Sequence, residues 1–331
     1  TATSSRGGCA GVPSSVHPAS AAAGRRRTRY CRAPSTGCHE KVTRALPGRA
    51  WVPPGAATPA DMNTVRLYEF VIPVVEENDD IAPADGSESV TGLYEEAKAR
   101  QWNAATDIPW DELEPLPEDL ERAACQFATF LTEVEFVAGD FPSIWMHRIP
   151  NEFFEVKAFL ASQMTDEARH AEVFRKRAVA NGGGLLHAGA GFEWALKAIL
   201  DAPSHTLGTF LLNILAEGLV LSMFRAGEFL AKTRVDKEIF RRCMQDEARH
   251  VSYGTMHLKY FLENAPDKEK ALEIMHGYAD IGEQVILTAL TEPLLLEPLA
   301  VLMGDGVKNI DQGLDGVRFL WATMVEEYLQ R

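Results

Sequence analysis

From Pro117 onward, apolar residues recur every three to four positions over long stretches with few β-branched clusters. That spacing lays a continuous apolar stripe along one side of a helix. The pattern predicts helices at 117–147, 152–180, 190–201, 205–231, 236–263, 268–290 and 309–330. The separators are Pro150-Asn151, Gly182-Gly183-Gly184, Pro203, Lys232 to Val235, Pro266 and the Pro293–Pro298 segment. Short connections between long helices favour antiparallel neighbours, so the expected fold class is an all-α bundle. The most apolar run, Phe210 to Phe224, is shorter than a membrane span and is interrupted by Asn213 and Glu217. It reads as a core helix.

The first part of the chain has a different pattern. Residues 1–61 are rich in Ala, Ser, Gly, Pro and Arg, show no sustained apolar period, and carry nine basic residues against Glu40 and Asp61. They read as a disordered basic leader. The composition resembles an organelle transit peptide, which would send the protein to a plastid or mitochondrion. The first methionine is Met62, followed at once by ordinary folded-protein sequence, and an upstream extension of the reading frame fits equally well, with a cytoplasmic protein as the outcome. Residues 62–116 combine a strand-like run (Val65 to Val75), an acidic loop (Glu76 to Ser89) and segments around Trp102 and Trp110. They read as an irregular N-terminal wrap ahead of a helical domain at 117–331.

The net charge is -14, and with the leader set aside the body holds 24 basic against 45 acidic residues. Such a body repels nucleic acid and anionic membrane surfaces, so a small molecule, a cation or a basic partner protein is expected. Of five cysteines, Cys9, Cys31 and Cys38 lie in the leader and Cys125 and Cys243 in the body, without paired spacing. A disulfide scaffold is not expected.

The chemistry lies in an internal echo. Met164-Thr-Asp-Glu-Ala-Arg-His170 and Met244-Gln-Asp-Glu-Ala-Arg-His250 share the pentapeptide DEARH, 80 residues apart, each inside a long predicted helix. Glu and His three apart lie on one helical face within reach of one ion. A single copy is usually a solvated face; two copies on separate helices point to a pair of cations. Two divalent ions want about five or six ligands each, so other helices must add carboxylates at the same level. In an antiparallel hairpin, residues at equal height are equidistant from the turn. Reflecting Glu167 across Pro150-Asn151 leads to Glu135, and reflecting Glu247 across Lys232-Thr233-Arg234 leads to Glu217.

The candidate metal ligands are therefore Glu135, Glu167, His170, Glu217, Glu247 and His250, with Glu133 as a rival to Glu135 on another side of the same helix. Asp166 and Asp246, each four residues before a motif histidine, are placed either to accept that histidine's second N–H or to form a weak surface pair. Arg169 and Arg249 either neutralise the site from outside or are solvated. His147, His187, His205, His257 and His276 fit no ligand pattern.

Over residues 117–263 this pattern of Glu, Glu-xx-His, Glu, Glu-xx-His is similar to the ferritin-like diiron carboxylate superfamily. The DEARH form resembles that of bacterial multicomponent monooxygenases, ribonucleotide reductase small subunits and their ligand-binding oxidase relatives. The resemblance implies a ferritin-like four-helix bundle with additional C-terminal helices and two iron ions, for which a manganese–iron pair is a substitute. It also implies an oxidoreductase that uses dioxygen, an electron donor and a small organic substrate, and a possible homodimer. Phe174 stands where radical-type reductase subunits carry tyrosine, and Leu212 where the ligand-binding oxidases carry their cross-linking tyrosine. A ferroxidase or metal-storage protein, or a reductase subunit without a local tyrosyl radical, are the alternatives. Phe127, Phe130, Leu131, Leu212, Leu215 and Leu219 would exclude water and either line a substrate pocket or form plain core.

Overall fold

The structure, a computed structural model, describes residues 89–330, all of whose regular elements are helical. The leader, the strand-like run and the acidic loop up to its last residue, Ser89, lie outside the described residues. The helices are α1 (Val90–Ala99), α2 (Glu118–Met146), α3 (Phe154–Val179), α4 (Ala190–Leu200), α5 (His205–Leu230), α6 (Arg234–Asn264), α7 (Lys268–Leu290), α8 (Pro293–Met303) and α9 (Ile310–Gln330).

Local chemistry explains where they start. Ser89, Ser204, Thr233 and Asp267 each accept a hydrogen bond from the backbone N–H three residues on, capping α1, α5, α6 and α7. α3 ends where Asn181 and Gly182 take positive φ, a conformation that suits these two residue types.

Three elements depart from the periodicity reading. α1 lies in the stretch read as irregular; it is a ten-residue helix that buries only Leu93 and Ala97, too few positions to show a period. The Pro293–Pro298 segment, expected to be a break, is the first half of α8: Pro293 sits at the first helical position, where no N–H is needed, and Pro298 is buried farther in. α5 is not uniform, because Phe210–Ala216 is wound as a π-helix directly before Glu217. Such wide turns occur frequently at functional sites.

α2 pairs with α3 and α5 with α6 as antiparallel hairpins, and α3 faces α6 to complete a four-helix bundle. α1 crosses α3 and α6, α8 and α9 close over α2 and α5, and α7 packs on α4 and the π-wound segment. α5 has the length and hydropathy of a membrane span, but 89% of its most apolar window is buried inside the fold. It is surrounded by helices and therefore apolar all round. α8 and α9 approach closely at Gly313, where a Cβ would meet the Ala300 carbonyl oxygen at 1.7 Å. Gly313→Ala is expected to force the two helices apart and lower stability by about 1–3 kcal/mol, read from urea unfolding. An unchanged midpoint would show that α9 is free to shift.

Candidate metal centre

The six residues picked out in the sequence converge in the middle of the bundle. Glu135 comes from α2, Glu167 and His170 from α3, Glu217 from α5, and Glu247 and His250 from α6, all 3% exposed or less. Glu135, Glu167, His170 and Glu247 form one group able to hold an ion, and Glu167, Glu217, Glu247 and His250 a second, with ligand atoms within 4.8 Å of one another. Glu167 and Glu247 belong to both. Glu133 is half-buried and outside both groups.

The donor set fits two cations. Glu135 Oε1, both Glu167 oxygens and His170 Nδ1 are buried without a hydrogen-bond partner, an arrangement that is costly unless something positive sits between them. Burial, and then the Glu247 and Glu167 charges, push Glu135 and Glu217 well above the usual carboxylate range, against the pull of His170 and His250. Burial acts the same way on Glu167, but His250 and His170 outweigh it and hold this carboxyl well below that range. His250 is raised although burial opposes it, because Glu167 and Glu217 face it. The cluster thus takes up protons where cations would supply the charge.

Around the histidines runs a layer in which each aspartate meets the histidine of the other motif instead of its own. Asp166 and Asp246 do not serve the histidine four residues on; they pair crosswise. His170 Nε2 lies 3.2 Å from Asp246 Oδ2, and His250 Nε2 lies 3.3 Å from Asp166 Oδ2. The reason is steric direction: each Nδ1 turns toward the glutamates, 3.1–3.6 Å away, so Nε2 points across to the facing helix. Arg169 and Arg249 are buried rather than solvated. Arg249 Nη2 donates to Asp246 at 2.6 Å and Asp166 at 3.0 Å. Arg169 Nη2 donates to Asp166 and, at 3.2 Å, to Asp246. Two aspartates and two arginines make a neutral lattice that joins α3 to α6 and fixes both rings.

Four further residues touch this centre, and none was a sequence candidate. Trp102 Nε1 donates to Asp246 Oδ2 at 2.7 Å, and the Arg169 guanidinium lies over its ring at 5.1 Å. Gln163 Nε2 and Asn213 Nδ2 donate to the two Glu217 oxygens at 2.9 and 2.7 Å. Cys243 is fully buried beside His170, and burial pushes its thiol up to about 12. Gln163, Asn213 and Cys243 each precede one of the six clustered residues by four positions on its own helix; that spacing was the available signal. Of the other histidines, His205 and His257 stack edge-on at 4.8 Å under Phe141 and Trp145, away from the cluster. His147, His187 and His276 are exposed.

Beyond one end of the centre lies an apolar cavity of about 70 Å3. Leu131, Phe127, Phe174, Ile239 and Phe240 wall its inner part, and Leu299 and Leu320 close it from α8 and α9. Of the apolar residues suggested as pocket walls, Phe127 and Leu131 line it. Phe130, Leu212, Leu215 and Leu219 do not line it and are packed in the core.

No family model matches the chain, and no curated sequence does. Solved structures do. An R2-like ligand-binding oxidase with aerobically reconstituted Mn/Fe cofactor (long soak) matches at 16% identity and a TM-score of 0.60, covering 75% of this chain and 92% of that one. The same kind of oxidase after photoconversion matches at 17% and 0.60, covering 77% and 96%. A point mutant with an Fe/Fe cofactor matches at 18% and 0.58, again covering 77% and 96%. The shared fold is the ferritin-like helical bundle expected from the repeated motif.

The crossed lattice has a measurable consequence. Asp166→Ala leaves Arg249, Arg169 and His250 Nε2 facing an empty space, which should cost about 3–5 kcal/mol, as for removal of one partner of a buried pair. Urea unfolding of the metal-free protein reads it; a loss below about 1 kcal/mol would mean the lattice behaves like a surface pair.

Proposed function

We propose that this protein is an oxidoreductase that holds two metal ions, iron or a manganese–iron pair, and uses dioxygen to oxidise a small apolar organic molecule. The observation that carries the reading is the pair of four-ligand groups sharing Glu167 and Glu247. Four carboxylates balance two divalent cations, and the mixed oxygen and nitrogen donor set suits iron and manganese. The similar solved oxidases, which carry Mn/Fe or Fe/Fe cofactors, support it.

Glu167 and Glu247 would bridge the ions, Glu135 and Glu217 would each hold one, and His170 and His250 would bind through Nδ1. The bound metals supply the redox chemistry with dioxygen, and an external donor supplies the electrons. The protein's own part is positional. Asp246 and Asp166 accept the Nε2 protons and so keep Nδ1 free as a ligand. Phe174, Leu131, Phe127 and Ile239 exclude water from the side on which the cavity lies and receive the substrate. The cavity favours an organic substrate over iron storage, which needs no such space.

Purified protein loaded anaerobically with ferrous ion is expected to bind two ions per chain, and Glu217→Ala to lose at least one of them. Ala128→Leu, which narrows the cavity without touching a ligand, should keep both ions while organic turnover falls by about tenfold or more. Metal analysis beside product detection on a panel of apolar substrates checks both. A chain that binds no metal sinks the proposal, and iron turnover with no organic product under any reductant would make it a ferroxidase.

A further inference from the structure

The two halves of the centre repeat each other in their ligands but differ one helical turn away. Gln163 precedes Glu167 by four residues, and its counterpart before Glu247 is Cys243. Asn213 precedes Glu217 by four, and its counterpart before Glu135 is Leu131. At the His250 end, two primary amides therefore grip Glu217, one on each carboxylate oxygen. Glu135 has no such grip: the residues in the matching positions are a thiol and an alkyl chain, and its Oε1 is buried without a partner.

Packing repeats the contrast. Past the His250 end, Phe159 meets the His250 ring edge-on at 6.3 Å and stacks on Tyr253 at 4.8 Å, so this end is filled with side chains. Past the other end lies the cavity, whose wall includes Leu131, one turn before Glu135, and Phe174, one turn after His170. One turn is about 5–6 Å along the axis. The grip is also built into the backbone. Asn213 belongs to the π-wound segment, and a Cβ on Gly254 would lie 2.7 Å from the Asn213 Cβ, so the absence of a side chain at Gly254 is what seats it.

We infer that the two ion positions are unequal: Gln163 and Asn213 are positioning residues that fix Glu217 at the His250 position, and the Glu135–His170 position, unclamped and next to the cavity, is where coordination opens. The inference rests on the proposed metal-binding function. A carboxylate held at both oxygens by buried donors cannot swing without breaking both bonds, and buried amides left unpaired are costly. Glu135 meets no such resistance, so a new ligand enters on its side.

The test uses cobalt(II), whose visible absorption reports coordination, titrated into the metal-free full chain. Wild type should take up two ions per chain in two steps. The Gln163→Met, Asn213→Leu pair should weaken one step by about 10- to 100-fold, as loss of groups that orient a ligand does, and shift that ion's band, leaving the other step unchanged. Glu217→Ala should remove the same step and Glu135→Ala the other. Azide should perturb the band lost in Glu135→Ala. Gly254→Ala, which unseats Asn213 without removing a polar group, should act like the clamp variant, and Gln163→Met alone serves if the double variant does not fold. A purely structural role would weaken both steps together with the unfolding midpoint of the metal-free protein. Equal weakening of both steps, no weakening of either, or azide binding at the Glu217 position overturns the inference. Wild type that binds fewer than two ions overturns the proposed function instead, so the two failures are distinguishable.

Discussion

Four glutamates and two imidazoles buried in one bundle demand positive charge among them, and most of the architecture answers that demand. An uncompensated carboxylate in such a place costs several kcal/mol, so the helices that supply the groups must be held by other means. α2, α3, α5 and α6 are long, and they bury Phe141, Phe159, Phe174, Phe224 and Leu212 above and below the polar level. The aspartate–arginine lattice then ties α3 to α6 at that level without adding net charge. Trp102 reaches in from the segment after α1 and completes Asp246's set of donors. The terminal guanidinium nitrogens and the four aspartate oxygens are thereby paired within the core, while Arg169 Nε and Arg249 Nε stay buried without a partner.

The repeat of DEARH gives this centre its near-symmetry, and the departures from symmetry give it a direction. Each motif contributes Glu and His to the centre and Asp and Arg to the lattice behind it, so four of its five residues face two layers at once, and only the alanine is exposed. Helical geometry permits this because residues two and five of the motif, three apart, share one side of the helix and residues one and four, also three apart, share the adjoining one. The repeat does not extend one turn farther back, where Gln163 and Cys243 differ. It is there that one end is polar and filled, and the other apolar and hollow.

The bundle was legible because its helices are long and strongly periodic, and the convergence of the six side chains was legible because antiparallel hairpins reflect height across a turn. Glu135 and Glu217 needed only a turn position and the 1.5 Å rise. What escaped the sequence depends on three-dimensional direction. α1 is too short to show a period, and α8 carries two prolines that read as a break although one occupies the position where proline is harmless. The crossing of Asp166 to His250 and Asp246 to His170 follows from which ring nitrogen faces the glutamates, which spacing along one helix does not encode. Trp102 lies 144 residues from the aspartate it meets, and no local pattern links them.

α5 brings these threads together. It is the most apolar helix because it is surrounded on all sides, and hydropathy alone cannot separate that condition from a membrane span. Its polar residues can. Asn213 and Glu217 are spaced one turn apart and both buried, and they hydrogen-bond to each other and to Gln163 of α3. Polar groups so placed in an apolar helix carry a desolvation cost that only specific partners offset. The partner for Asn213 and Glu217 is the centre itself. The same spacing that interrupts the apolar run therefore marks where the helix meets the chemistry, and the π-wound turn at that point sets the register in which it does so.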